Sequence, residues 1–141
     1  MKHANWLVVV TLVVLSGRAA AQMHSDTKIV AQVPFEFVVA NKVVPAGQYT
    51  VQAAAMNGDT LMILNPGSKV GLFSTASRIE GKEGATHCTL LFNHYGDRYF
   101  LAGVEIEGST IAYRVTKSKA EAELEAQNVS ATKEIVLAYL K

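Results

Sequence analysis

Five side chains able to bind ligands or move protons fall within six consecutive positions: His94, Tyr95, Asp97, Arg98 and Tyr99. An imidazole, two phenols, a carboxylate and a guanidinium at one hairpin tip could hold a small polar ligand. The plainer alternative is a solvated turn, which needs only polar residues. His87 and His94 differ by an odd number, so a regular strand sends them to opposite faces and they cannot share a metal there. His87 is expected beside Glu105 as a surface charge pair. Cys88 shares the face of Leu90 and Phe92, where a thiol reads as a small core residue and a poor nucleophile. Gln22-Met23-His24 places a histidine third in the chain if cleavage follows Ala21. A free amine with that spacing can wrap Cu(II) or Ni(II) in a square-planar nitrogen set. Such tripeptides are common by chance, and cyclisation of Gln22 blocks the amine. Glu121, Glu123 and Glu125 lie on a helix with no pocket indicated and read as a solvated face.

Larger catalytic signatures are missing. The sequence contains no G-x-S-x-G, H-E-x-x-H, P-loop or C-x-x-C. A single cysteine excludes an internal disulfide framework and a multi-cysteine metal site. No cofactor and no catalytic residue are expected. Thirteen basic residues against twelve acidic ones leave a formal charge of +1, without the basic excess of a nucleic-acid binder. Asn128-Val129-Ser130 fits a glycosylation sequon, a short pattern with many chance matches.

The elements that must position these groups are mostly strands. From Lys28 to Val39 the odd positions are Ile29, Ala31, Val33, Phe35, Phe37 and Val39, one apolar face of an antiparallel strand. Pro34 lacks an amide donor and marks an edge or a bulge. Asn41-Lys42 opens a connection ending in the turn Pro45-Ala46-Gly47. Tyr49, Val51 and Ala53 alternate in a second strand. Thr60–Leu64 and Lys69–Thr75 flank Asn65-Pro66-Gly67-Ser68, where proline and glycine suit a type II turn. Thr86–His94 and Arg98–Ile106 form the clearest hairpin. A three-residue loop, Tyr95-Gly96-Asp97, pairs His94 with Arg98, Phe92 with Phe100, Leu90 with Ala102 and Cys88 with Val104. That register segregates apolar residues; a two-residue loop pairing Tyr95 with Arg98 mixes them. Thr110–Val115 follows. Ser118-Lys119-Ala120-Glu121 has the form of a capping box opening a surface helix to about Gln127, with Asn128 as its stop. Ile135, Leu137 and Tyr139 alternate in a last strand. About eight strands between turn signals predict one all-β domain, mainly antiparallel, a β-sandwich or β-barrel, with one short helix before the last strand.

The amino terminus reads differently. A positive start, an apolar run from Trp6 to Leu15 and the small residues Ala19-Ala20-Ala21 have the layout of a secretory signal peptide. The run is too short to span a bilayer, so no permanent membrane anchor is expected. The expected organisation is a signal peptide over 1–21, a flexible segment over 22–27 and the β-domain over 28–141. Cleavage after Ala21 leaves 120 residues with eleven basic and twelve acidic side chains and no tryptophan.

The runs Val33-Pro34-Phe35-Glu36-Phe37 and Val43-Val44-Pro45-Ala46-Gly47-Gln48-Tyr49-Thr50-Val51 resemble a family of small secreted bacterial β-proteins. The resemblance continues through Leu90-Leu91-Phe92, Tyr95-Gly96-Asp97-Arg98-Tyr99-Phe100-Leu101 and Lys117-Ser118-Lys119-Ala120-Glu121. It implies export and one β-rich domain. No activity, cofactor or catalytic residue attaches to that family, so none is implied here. The leading expectation is a secreted, non-enzymatic envelope or extracellular protein, periplasmic or released. It would act as a binding or structural module toward a protein or surface partner, self-association included, and not toward nucleic acid. The alternative is a carrier for a small apolar ligand in a barrel cavity. A hydrolase-type enzyme ranks last.

Overall fold

The computed structural model describes residues 27–54 and 59–141. Among them are ten strands and one α-helix. The strands are β1 (Lys28–Val33), β2 (Phe37–Val39), β3 (Lys42–Val44), β4 (Gly47–Ala53), β5 (Thr60–Asn65), β6 (Val70–Glu80), β7 (Cys88–Tyr95), β8 (Arg98–Glu105), β9 (Ile111–Val115) and β10 (Thr132–Leu140). The helix α1 (Lys119–Ala126) precedes the last strand. Eight strands form a closed antiparallel barrel in the order β1, β4, β5, β6, β9, β8, β7, β10 and back to β1. Closure removes the open edges that a sandwich would keep. The expected leader and residues 22–26 lie outside the described residues.

The expected strand over 28–39 divides at Pro34. Without an amide donor there, β1 ends at Val33 and the chain crosses the end of the barrel. Phe37 and Val39 nevertheless keep the buried phase set by Ile29, Ala31 and Val33. The expected connection after Asn41 instead contains β3, which folds back on β2 with Phe37 opposite Val44. Ala40 and Asn41, at φ 51° and 61°, give the hairpin its two left-handed turn residues. This hairpin hangs on the barrel through the parallel pair Val38–Phe100.

The β7–β8 hairpin corrects the expected register. Tyr95 pairs with Arg98 across a two-residue turn, and Gly96 takes the left-handed conformation at φ 61°. His94 therefore faces Tyr99, and Phe92 faces Leu101. The pairing then jumps, with Leu91 opposite Gly103 and Leu90 opposite Val104. Ala102 is the extra residue of a β-bulge, which resets the phase so that Leu101 and Val104 are both buried. Turn chemistry thus fixes the loop, and the bulge restores the apolar face.

Two other expectations change, and the last strand takes a face the sequence left open. In the turn after Asn65, the left-handed residue is Lys69 (φ 53°), not Gly67, so the turn is not type II. The Asn65 side chain instead accepts a hydrogen bond from the Ser68 amide at 3.2 Å. Ser118 makes no side-chain cap; the Lys119 amide donates to Asn41 Oδ1 at 2.8 Å. In β10, Ile135, Leu137 and Tyr139 point outward and are exposed, while Val136 and Ala138 face Leu90 and Cys88. The helix does stop where expected, with Asn128 left-handed at φ 56°.

The core fills the barrel with Ile29, Val33, Phe37, Tyr49, Val51, Leu61, Ile63, Leu90, Phe92 and Val104, all almost fully buried. Gln48, Thr75, Ser77, Arg114 and Lys133 lie on the exposed outer face. The outer face is mixed, since it also carries the exposed Phe73, Ile135, Leu137 and Tyr139.

Candidate functional site

The two ends of the barrel differ. At one end the chain from Pro34 to Val44 folds over the opening and fills it with rings. Phe35 packs edge-on to Phe92 at 4.9 Å, and Phe37 packs edge-on to Tyr49 and Phe92 at 5.0 and 5.2 Å. Tyr99 is stacked between Phe35 and His94 at centroid distances of 3.8 and 3.9 Å. The Pro45-Ala46-Gly47-Gln48-Tyr49 run locks this end. The Tyr49 hydroxyl donates to the Pro45 carbonyl at 2.5 Å. Burial pushes its phenol pKa up, opposed by a hydrogen bond with Asn65. A Cβ on Gly47 would stand 2.7 Å from Asn65 Nδ2, so only glycine lets the buried amide approach.

At the other end the described residues leave a hollow of about 510 Å³ at the barrel mouth. Its lining is built by inward positions of seven barrel strands. Ile29, Val51, Leu61 and Val104, almost fully buried, close its floor; Ile106, Ile111, Tyr113 and Leu140 form its apolar sides. Each is placed by strand alternation: Ile29 faces Val51 and Leu140, and Val104 faces Tyr113. The rim adds Gln52, Arg78, Glu107 and Ser109. Arg78 belongs to the inward series Leu72, Ser74, Ala76 and sits opposite Tyr113. It is the one cation lining the cavity among the described residues, and no carboxylate there lies within 4.0 Å of it. Sequence reading ended this strand at Thr75 and so missed Arg78. The strand runs on to Glu80, but its buried-exposed alternation ends at Ala76, so the sequence carried no clear signal for Arg78.

The five residues expected at the hairpin tip do not form one site. His94 and Tyr99 turn toward the aromatic plug, with His94 Nδ1 3.9 Å from Glu134 Oε1. Asp97, Arg98 and Tyr99 edge a cleft of about 210 Å³ against Phe35–Val38, which neither His94 nor Tyr95 lines. The Arg98 guanidinium also stands 5.2 Å from the Phe100 ring centroid. Tyr95 is buried on the opposite face with Val38 and Phe100, covered by Ala120 and Leu124 of α1.

Glu121, expected on a solvated face, is 1% exposed. It accepts hydrogen bonds from Asn93 Nδ2 at 2.7 Å and from the Tyr95 hydroxyl at 3.2 Å. These bonds tie α1 to the barrel wall in place of the expected capping box. Burial, with Glu121 and Glu125 nearby, pushes the Tyr95 phenol up to about 12. Glu125 also pairs with Lys117.

His87 contacts Thr86 at 3.0 Å and not Glu105, which accepts from Thr89 Oγ1 at 3.2 Å. The two-residue turn and the bulge each shift the register by one, which brings Glu105 opposite Thr89 and separates the expected pair. Cys88 is 1% exposed, and its Sγ accepts from the Glu107 amide at 3.3 Å. Gln22, Met23 and His24 lie outside the described residues. Among the described residues no three His, Cys, Asp or Glu side chains gather as a metal site. No family model, curated protein or solved structure matches this chain.

Proposed function

We propose that this is an exported, non-enzymatic binding protein that holds a small apolar ligand in the open end of its barrel. The reading rests on one observation: an apolar cavity of about 510 Å³ at the end opposite the aromatic plug. That volume lies within the usual range for small-molecule pockets, and an apolar wall with a few polar rim groups suits such a ligand. An apolar chain entering the cavity gains about 0.8 kcal/mol per buried methylene. Export is supported by the tripartite leader at 1–21 and by the resemblance to secreted β-proteins. The single buried thiol suits an oxidising compartment, since it is not offered for disulfide formation.

Binding is tested by titrating the protein with N-phenyl-1-naphthylamine, a neutral fluorophore that brightens in apolar surroundings. Leu140→Trp is the blocking variant, because Leu140 is half-exposed at the mouth and a larger ring there narrows the entrance without disturbing the buried layers. Saturable brightening lost in Leu140→Trp supports the reading; no brightening in the folded wild type refutes it. Export is tested by sequencing the amino terminus of the protein recovered outside the cytoplasm, where a start at Gln22 is expected and an intact Met1 overturns the leader.

A second reading, an interaction module, is favoured by the outward stripe Ile135, Leu137 and Tyr139 on β10, each about 60–70% exposed. Charged replacements on this stripe would abolish partner binding and leave fluorophore binding intact.

A further inference from the structure

We infer that the cavity is built for amphiphiles of one kind: an aliphatic chain ending in a carboxylate, with the head group held by Arg78 at the mouth. The inference rests on the carrier reading and adds the chemical class of its ligand. The floor of the hollow is aliphatic, from Ile29, Val51, Leu61 and Val104, and its sides add Ile106, Ile111, Tyr113 and Leu140. Polarity appears only at the rim, so a ligand with a polar group at one end has a single sensible orientation, chain inward. Strand alternation, not chance exposure, sends Arg78 to that rim. It follows Leu72, Ser74 and Ala76 on the same face of β6, and all three are buried. It is itself exposed, so its guanidinium reaches water where a head group would remain. A lone guanidinium with no carboxylate within 4.0 Å among the described residues is free to take a bidentate anion. Glu107 shares the rim as its one carboxylate, opposing an anion and setting the preference for a single negative charge close to Arg78.

The test is displacement of N-phenyl-1-naphthylamine by dodecanoate, 1-dodecanol and dodecyltrimethylammonium, each below its micelle concentration. Dodecanoate is expected to displace the probe at about fivefold lower concentration than the alcohol, the scale of a partly solvated ion pair. The cation is expected to be weakest. Arg78→Gln erases the acid-over-alcohol preference while leaving the alcohol unchanged; Glu107→Gln widens it. Shortening the acid by one methylene weakens displacement about fourfold. Circular dichroism confirms that the variants fold, and both replaced side chains are exposed. Equal displacement by acid and alcohol in the wild type overturns the carboxylate assignment and leaves the carrier reading standing. Absence of any probe binding overturns both.

Discussion

The buried carboxylate of Glu121 allows a quantitative test of how α1 is held. In Glu121→Ala the Asn93 amide loses its acceptor beneath the helix, while the Tyr95 hydroxyl keeps only its longer bond to Glu125 Oε1 at 3.4 Å. A buried donor left without a partner costs about 1–3 kcal/mol. Losing a buried carboxylate returns part of its desolvation cost and the Glu125 bond retains part of the rest, so the expected net loss is about 2 kcal/mol. For a domain of this size that lowers Tm by about 10 °C. Glu121→Gln keeps one acceptor oxygen and loses about 1 kcal/mol. Glu123→Ala, two positions along on the exposed side, is the control and changes stability by less than about 0.5 kcal/mol. Urea unfolding followed by circular dichroism gives all three numbers. A cycle with Tyr95→Phe isolates the shared bond, with a coupling of about 1 kcal/mol. If Glu121→Ala unfolds within 0.5 kcal/mol of wild type, the carboxylate does not anchor the helix and the argument fails.

Three further outcomes are expected. Gly47→Ala drives a methyl group into the Asn65 amide, which its bond to Ser68 holds in place. Urea denaturation should show a loss of about 1–3 kcal/mol that is reduced on an Asn65→Ala background; equal losses on both backgrounds would discount the close approach. The Tyr95 phenol titrates higher in the folded chain, about 12, than its ordinary value of 10. Folding therefore favours the protonated form: its contribution is complete below pH 10 and is lost as pH rises toward 12. The stability difference between wild type and Tyr95→Phe, measured from pH 8 to 12, should be flat and then fall; a difference independent of pH contradicts this. Cys88 should resist a thiol reagent in the folded protein and react completely in denaturant. Comparable rates in the two states would mean that the β7 end opens freely.

How much was legible beforehand follows from which forces are local. Alternation over Ile29, Ala31 and Val33, and the turn residues between strands, depend on neighbours in the chain, and they led to an all-β domain with one helix. Register beyond a turn is less local. The expected hairpin pairing assumed an unbroken ladder, whereas Ala102 bulges. The clue was Gly103 inside an apolar strand, a residue that often accompanies a bulge or a close backbone approach. A Cβ there would lie 3.1 Å from the Tyr113 carbonyl. Glu121 was misread because a helix wheel shows which residues share a face but not that Asn93 and Tyr95 wait beneath it. The apolar stripe of β10 left its direction open, since alternation identifies two faces without saying which one turns inward. The cavity could not be read at all, because it arises from residues of seven strands that meet only when the ring closes.

That closure has a temporal side. β1 lies between β4 and β10, and the Lys141 amide donates to the Lys28 carbonyl at 2.9 Å. The first strand of the barrel and the last are therefore neighbours. A chain delivered amino terminus first presents β1 with one flank unmatched until Thr132–Leu140 has emerged. Contacts of such long sequence separation form slowly, because the loop between them must first be closed. The barrel cannot complete itself on a growing chain. The same adjacency makes a rearranged gene feasible: joining Lys141 to Thr27 through a short linker and opening the chain at the exposed Gly96-Asp97 turn would preserve every other strand pairing, while delivering β10 directly before β1.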